Sequence, residues 1–205
     1  KSYGWEMELS WRDRINEFNY GVRFTLADGQ REVTKYPNES GDINTWYAGK
    51  LDGTIWGYTT VGIAQTQEEM DAHLANNKPN WGSKWGAGDV MYADLNGDGE
   101  VTSGSSTLGD HGDLTVIGNS YARYNFGLTL DGSWKGLDFS VFLQGVMKRD
   151  YWLDGPYFWG ASGDEWQSAC FTEHLDYWTP ENTDAYYPRP DFSSTKNQQT
   201  QTGYL

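Results

Sequence analysis

The chain has 205 residues, enough for one domain or two small ones with a real core. Its 15 Lys and Arg stand against 29 Asp and Glu, a formal net charge of −14 at pH 7, with no basic run beyond Lys148-Arg149, which excludes a nucleic-acid binder. Mean hydropathy is −0.75 and no stretch approaches the roughly 20 apolar residues of a membrane helix, while 11 Trp, 14 Tyr and 8 Phe are too many aromatics for a disordered chain.

Two segments near the start alternate apolar and polar residues. Tyr3, Trp5, Met7, Leu9 and Trp11 interleave with Gly4, Glu6, Glu8 and Ser10, and Phe18, Tyr20, Val22, Phe24 and Leu26 interleave with Asn19, Gly21, Arg23 and Thr25. A period of two over about nine residues predicts strands with one apolar and one polar face. The link Arg12 to Asn16 is of hairpin length. A long loop-like stretch follows, with one short helix predicted from Gln67 to Asn76. Thr66 and Glu69 have capping-box spacing, Met70 and Leu74 form an i,i+4 pair, and Asn77-Lys78-Pro79 stops it. A second pair of alternating segments comes later, Tyr124 to Leu130 and Leu137 to Leu143, linked by Asp131 to Gly136. The tail Ser193 to Thr202 is polar and Gln-rich and reads as loop. Asn38-Glu39-Ser40 fits a glycosylation sequon, a pattern short enough to arise by chance.

Cys170 is the only cysteine, which excludes an internal disulfide framework and any multi-thiolate metal site. The chain begins at Lys1 without Met or signal peptide, so it reads as a piece of a longer protein whose targeting is not legible here. Long irregular loops beside short turns suit a transmembrane β-barrel. Alternation alone favours an antiparallel sandwich with a shared core.

The strongest chemical signal runs from Asp94 to Thr102, Asp-Leu-Asn-Gly-Asp-Gly-Glu-Val-Thr. It matches the first nine positions of an EF-hand-type loop, with oxygen ligands Asp94, Asn96 and Asp98 at positions 1, 3 and 5, Gly99 at 6 and the Glu100 carbonyl at 7. A structural Ca²⁺ is the expected cofactor, because alternate side chains of a tight loop converge on one point and neighbouring free carboxylates repel. Position 12 is Ser105, where a bidentate acid belongs. Asp113 closes the shell if Ser103 to Gly112 bulges outward, with Asp110 as its rival. Flanking helices are not predicted, and a dockerin would need two such loops.

The run Gly88 to Gly99, followed by Asp113-Leu-Thr-Val-Ile-Gly-Asn119, resembles SusC/RagA-type TonB-dependent outer-membrane transporters. So do Gly4-Trp5-Glu6, Tyr124 to Leu128, Trp134 to Gly145, and Tyr177 to Asn182 with Pro188-Arg189, in the same order along almost the whole chain. The resemblance implies an all-β fold, a C-terminal part of a large transmembrane antiparallel β-barrel. Residues 1–28 and 122–147 would be barrel hairpins. Residues 29–121 and 148–205 would be extracellular loop regions, the first with the short helix and the EF-hand-like calcium loop, the second truncated. It implies the outer membrane of a Gram-negative bacterium, a SusD-like surface lipoprotein partner, TonB acting through an upstream plug, and import of oligosaccharides or peptides. Tyr3, Trp5, Trp11, Phe18, Tyr20 and Phe126 would then face lipid, and Arg23, Asn125, Thr129, Asp138 and Gln144 the lumen.

The last region is rich in aromatics, which suit partner interfaces and sugar faces but also pack on one another. Tyr151, Trp152 and Trp159 are the candidates for substrate or partner contact; Trp166 belongs to the same group. Catalysis is not expected: His73, His111 and His174 are scattered, and no Gly-x-Ser-x-Gly elbow or phosphate loop occurs. The alternative reading is a secreted, calcium-stabilised β-sandwich that binds glycans.

Overall fold

The computed structural model describes residues 1–160, 170–191 and 196–205. In chain order its elements are β1 (Ser2–Ile15), β2 (Phe18–Arg31), β3 (Thr54–Gly57), β4 (Thr60–Ile63), α1 (Gln67–Leu74), β5 (Lys78–Pro79), β6 (Val90–Tyr92), β7 (Glu100–Val101), β8 (Thr115–Asn119), β9 (Arg123–Trp134), β10 (Leu137–Lys148) and α2 (Pro156–Trp159). The described chain is mostly β with few helices. It divides into one unit of Lys1–Tyr36, Tyr47–Thr54 and Asn119–Asp150, and a second of Pro37–Trp46, Ile55–Gly118 and Tyr151–Leu205. No described helix is long and apolar enough to cross a membrane.

The first unit is built on an antiparallel sheet in the order β1-β2-β9-β10. Its hairpins are tighter than the sequence suggests. Arg12, Asp13, Arg14 and Ile15 pair with Gly21, Tyr20, Asn19 and Phe18, which leaves only Asn16-Glu17 as the turn. Likewise Asp131 to Trp134 belong to β9, and Lys135-Gly136 turn the chain. The charged residues at the strand ends resemble a loop in composition, yet Ile15 and Trp134 keep the period of two. Left-handed backbone makes the turns: Asn16 has φ 54°, Lys135 49° and Gly136 86°. At Lys135-Gly136 both central residues have positive φ, the type I′ pattern that suits a right-twisted hairpin, whereas at Asn16-Glu17 only the first does.

Register then sorts the side chains by face. Leu9, Phe24, Leu128 and Leu143 lie in one row across the sheet, and Trp11, Val22, Leu130 and Val141 in another. Tyr3, Trp5, Phe18, Tyr20 and Phe126 share that face. The opposite face carries rows such as Glu8, Thr25, Gly127 and Gln144, with Arg23, Asn125, Thr129 and Asp138 on it as well. Phe142 and Val146 break the polar pattern, and Asp13 and Asp28 the apolar one. The apolar face is bare, with Leu9 59%, Trp11 62% and Leu137 66% exposed. Both outer strands, β1 and β10, have one edge unpaired among the described residues, so the sheet is not closed. Beyond the Ala27–Asn125 pair the inner strands separate, and Arg123 forks onto the Asp28 carboxylate there.

The second unit holds short strand pairs, β4 with β6 antiparallel and β5 with β7 parallel. Its core consists of Tyr58, Val90, Tyr92 and Val101, flanked by Trp81, Trp85, Leu114 and Tyr204. Ala64, Met70 and Met91 form a second cluster. Helix α1 ends at Leu74, two residues before the expected Asn76, because the Asn77 side chain donates to the His73 carbonyl and Lys78 joins β7. The Thr66 hydroxyl accepts the Glu69 N–H at 3.1 Å, whereas the Glu69 carboxylate accepts from Gln65 N–H, one residue ahead of the usual capping-box partner.

The described part of the tail is irregular chain, as expected of a loop, but much of it is buried. Lys196, Asn197 and Gln201 are buried, and the strand-like stretch around Gln201 lies beside Tyr58. The rest of the expected tail, residues 193–195, lies outside the described residues. Polar composition points to solvent unless polar partners are waiting inside, and here they are.

Thr66→Ala removes the cap of α1 and costs about 1 kcal/mol. Hydrogen exchange at the Glu69 amide is expected to accelerate about fivefold for that loss, with the β1–β10 sheet unaffected.

Candidate functional site

The Asp94 loop is a set of nested turns closed by side-chain oxygens. Asp94 accepts the N–H groups of Gly97 at 2.6 Å and Gly99 at 2.7 Å, one on each carboxylate oxygen. Asn96 Oδ1 accepts Asp98 N–H, and Asp98 Oδ1 accepts Glu100 N–H, each at 2.9 Å. Gly97 and Gly99 both have positive φ, 79° and 90°, so the turn needs glycine at these places.

Asp113 returns beneath this turn and Asp110 does not. The buried Asp113 carboxylate accepts Leu95 N–H at 2.7 Å and Asn96 N–H at 3.3 Å on one oxygen, and Thr102 N–H at 2.7 Å on the other. Its own N–H donates to the Thr102 carbonyl, which pins the two ends of the 103–112 excursion together. Asp110 works inside the excursion, where it accepts both the hydroxyl and the N–H of Ser105. Those bonds, the hydroxyl first, hold its carboxyl below the ordinary range. Asp94 is lowered too, chiefly by the Gly99 N–H.

The donors suit a hard cation in kind, since all are oxygens at alternate positions of a tight turn. Their grouping is another matter. Among the described residues no three His, Cys, Asp or Glu side chains are arranged to hold a metal ion, and the Asp98 carboxylate turns to Glu100 N–H and the Asn96 amide. In this arrangement backbone N–H groups satisfy the acids that a cation would otherwise hold.

Of the aromatic candidates, Tyr151 is exposed, Trp152 half-buried and Trp159 buried. Trp152 and Trp159 lie 5.9 Å apart between ring centroids, and Trp159 continues into Phe158 at 5.0 Å and Tyr204 at 4.9 Å. Trp159 also borders an apolar cavity of about 90 Å³ with His174, Tyr187 and Pro188. The rings thus pack largely on one another. Trp166 lies outside the described residues.

Sequence reasoning missed the most connected group of the second unit, the fully buried Asp89. Its carboxylate accepts from Gly86 N–H, the Arg189 guanidinium and the Lys196 ammonium, each at 2.8 Å, and from the Asn197 amide at 3.0 Å. Its side-chain partners lie about a hundred positions away in sequence, so no local spacing signals them. The one cue was the Gly88-Asp89 pair ahead of an apolar run. Gly88 has φ 87°, and a Cβ there would come within 2.4 Å of the Trp178 ring.

No family model matches the chain. It is 25% identical over 217 aligned positions to a TonB-dependent receptor of Formosa agariphila, covering 98% of this chain and 20% of the receptor. A solved structure of the RagAB peptide transporter aligns with it at a TM-score of 0.56 and 17% identity, covering 97% of this chain and 21% of that one. At that identity the second likeness is one of fold. The chain spans about a fifth of the length of either relative.

Ser105→Ala removes the largest influence on Asp110, whose carboxyl then rises toward its ordinary value of 3.8. Because the folded value is depressed, the stabilisation from Asp110 is present above the ordinary value and fades as pH falls through the lowered one. An NMR titration of Asp110 in both proteins checks the direction. Asp113→Ala strands the Leu95, Asn96 and Thr102 amides, each an unsatisfied group costing about 1–3 kcal/mol if it stays buried. Cleavage within 94–113 under limited proteolysis is expected to accelerate while the sheet resists.

Proposed function

We propose that this chain, which resembles SusC/RagA-type TonB-dependent transporters in sequence and in fold, is a segment of an outer-membrane transporter of that kind. The observation that carries the reading is the two-faced sheet. Four antiparallel strands present one continuous apolar face to the outside and one polar face opposite, with an unpaired edge on each side. A soluble protein rarely leaves so large an apolar surface bare. Hydrocarbon covers such a face without further protein, and neighbouring barrel strands complete both edges. Fourteen residues at about 3.3 Å each, tilted about 40°, reach roughly 35 Å along the membrane normal, enough to cross the hydrocarbon core of about 30 Å.

In this reading β1–β2 and β9–β10 are adjacent hairpins of the barrel wall. Their two-residue turns mark the periplasmic side, and the second unit is extracellular loop. The polar face, with Arg23, Asn125, Thr129, Asp138 and Gln144, lines the lumen. Energy comes from TonB acting on a plug elsewhere in the protein, so this segment performs no chemistry of its own. Oligosaccharides or peptides are the proposed cargo and a SusD-like lipoprotein the proposed partner at the extracellular mouth, with exposed Tyr151 and its neighbours Trp152 and Trp159 the residues nearest that role. Calcium belongs to the same proposal, held by Asp94, Asn96, Asp98, the Glu100 carbonyl and Asp113. The kind and spacing of the donors support it, and the ion would add to a turn that the backbone N–H groups already close.

Single-cysteine labelling in a protein carrying Cys170→Ser tests the wall. Cysteines placed at Leu9 and Val141 are expected to react with a lipid-soluble maleimide in isolated outer membranes and to resist a charged one. Cysteines at Arg23 and Thr129 should show the reverse preference. Equal reaction of all four with the charged reagent, in a protein found in the soluble fraction, would reject the barrel. For calcium, a chelator is expected to speed proteolysis between Asp94 and Asp113 and leave the strands intact; identical digestion patterns with and without chelator would remove the ion from the proposal.

A further inference from the structure

The second unit contains an ammonium ion that never reaches solvent. Lys196 is 1% exposed, and its three N–H donors all find acceptors: the Asp89 carboxylate at 2.8 Å, the Asp191 carboxylate at 3.2 Å and the Lys84 carbonyl at 3.0 Å. The Trp85 ring closes a further side, with its centroid 5.4 Å from the Nζ. This is a built cage for a primary ammonium. It supplies three acceptors for three donors, two formal negative charges and one π face. Arg189 shares Asp89 from another direction, which makes the set of four charged side chains neutral in sum.

Lys196 is also the first described residue of a strap that runs to Leu205. From Lys196 onward the strap bonds mostly through uncharged groups. Asn197 accepts Val90 N–H at 3.0 Å and donates to Asp89, and the Lys196 carbonyl accepts the Tyr92 hydroxyl at 3.2 Å. The Gln201 amide donates to the Tyr92 hydroxyl, which burial keeps protonated. Tyr58 N–H donates to the Thr200 carbonyl at 2.8 Å, and Thr202 N–H to the Tyr58 carbonyl at 3.0 Å. One charged residue at the head thus anchors a series of neutral bonds to Tyr58, Val90 and Tyr92. Apolar contacts alone would not hold a stretch of this composition inside, because buried polar groups need partners; of those on the strap's side chains, Gln201 Oε1 is the one left without a hydrogen bond.

We propose that Lys196 is a latch, and that the cage of Asp89, Asp191, the Lys84 carbonyl and Trp85 is a primary-ammonium site filled by the chain's own side chain. With the ammonium seated, the strap is pinned across β4 and β6. Without it the strap loses its anchor, Asp89 keeps Arg189 as partner, and the cage is open to a small primary amine. The Asp94 turn stays closed in either case, since Asp94 and Asp98 accept N–H groups of their own segment and Asp113 accepts those of Leu95, Asn96 and Thr102. The latch is independent of whether the protein transports anything.

Hydrogen exchange on the complete protein carrying Lys196→Ala tests it. Protection at the Tyr58, Val90 and Thr202 amides is expected to fall about tenfold or more, as for loss of hydrogen bonds to a charged group, while Leu95 and Thr102 keep theirs. Added n-butylammonium should restore the lost protection, and tetramethylammonium, which has no N–H donor, should not. Should Lys196→Ala fail to fold, Asp191→Asn removes the one partly exposed carboxylate wall, and a roughly threefold loss confined to the same three amides is expected. Unchanged protection at those amides, or an equal loss at Leu95 and Thr102, would overturn the latch. Restoration by tetramethylammonium as complete as by n-butylammonium would overturn the cage.

Discussion

A strand has a side-chain period of two, so a one-residue slip would exchange the two faces of the sheet completely. Everything in the first unit depends on preventing that slip. The two-residue turns at Asn16-Glu17 and Lys135-Gly136 count the register from one end. The inner pair β2–β9 carries the same count from Phe18–Trp134 to Ala27–Asn125. At the other end the Asp28–Arg123 fork stands where the strands part. With register set at both ends, Leu, Val, Phe and Trp line up on one side and Glu, Arg, Thr and Asn on the other. A sheet with two such faces suits a wall between two media, and that property gives the proposed transporter reading a physical argument beside the comparative one.

The second unit solves a different problem. It has few long elements, so most of its backbone has no ladder to satisfy it, yet part of it is buried. A buried polar hub takes the place of a ladder. Asp89 ties the Gly86 turn, Arg189 and the strap together through one carboxylate. Such a centre is weak evidence for stability, because the desolvation of its charges offsets much of their attraction. Its value lies in choice of partner. An apolar core of Tyr58, Val90, Tyr92 and Val101 would accept many apolar segments, whereas a carboxylate needing two cations and an amide accepts one arrangement of chain.

That difference decides how much could be read in advance. The sheet was legible because period-two alternation is a local signal repeated over a dozen residues, and the strand ends were misjudged only where charged residues imitate a loop. Helix α1 and the Asp94 turn were legible for the same reason, since their caps and oxygens lie within a few positions of each other. Asp113 required one step more, a guess that ten residues loop out and return. Asp89, Lys196, Asn197 and Gln201 gave no periodic trace at all. In sequence Lys196 is one lysine in a polar tail, and the fully buried carboxylate that draws it inside lies about a hundred residues earlier.

The acidic excess acquires a cause from the same chemistry. Many of the aspartates accept backbone N–H groups in irregular chain: Asp42 from Asn44, Asp110 from Ser105, Asp150 from Asn119 and Asp176 from Tyr186, besides Asp94 and Asp113 in the turn. An ionised carboxylate is the best side chain for this work. It offers about four lone pairs, forms charge-assisted bonds, and brings no donor that must itself be satisfied. Most of these acids remain partly wet and need no cation beside them, so each adds a negative charge that nothing requires the chain to neutralise. The two fully buried aspartates differ in kind: Asp89 is served by Arg189 and Lys196, and Asp113 by the backbone N–H groups of Leu95, Asn96 and Thr102. A chain that folds long loops through aspartate turns therefore drifts acidic as a by-product of satisfying its backbone, and part of the charge of −14 has that origin.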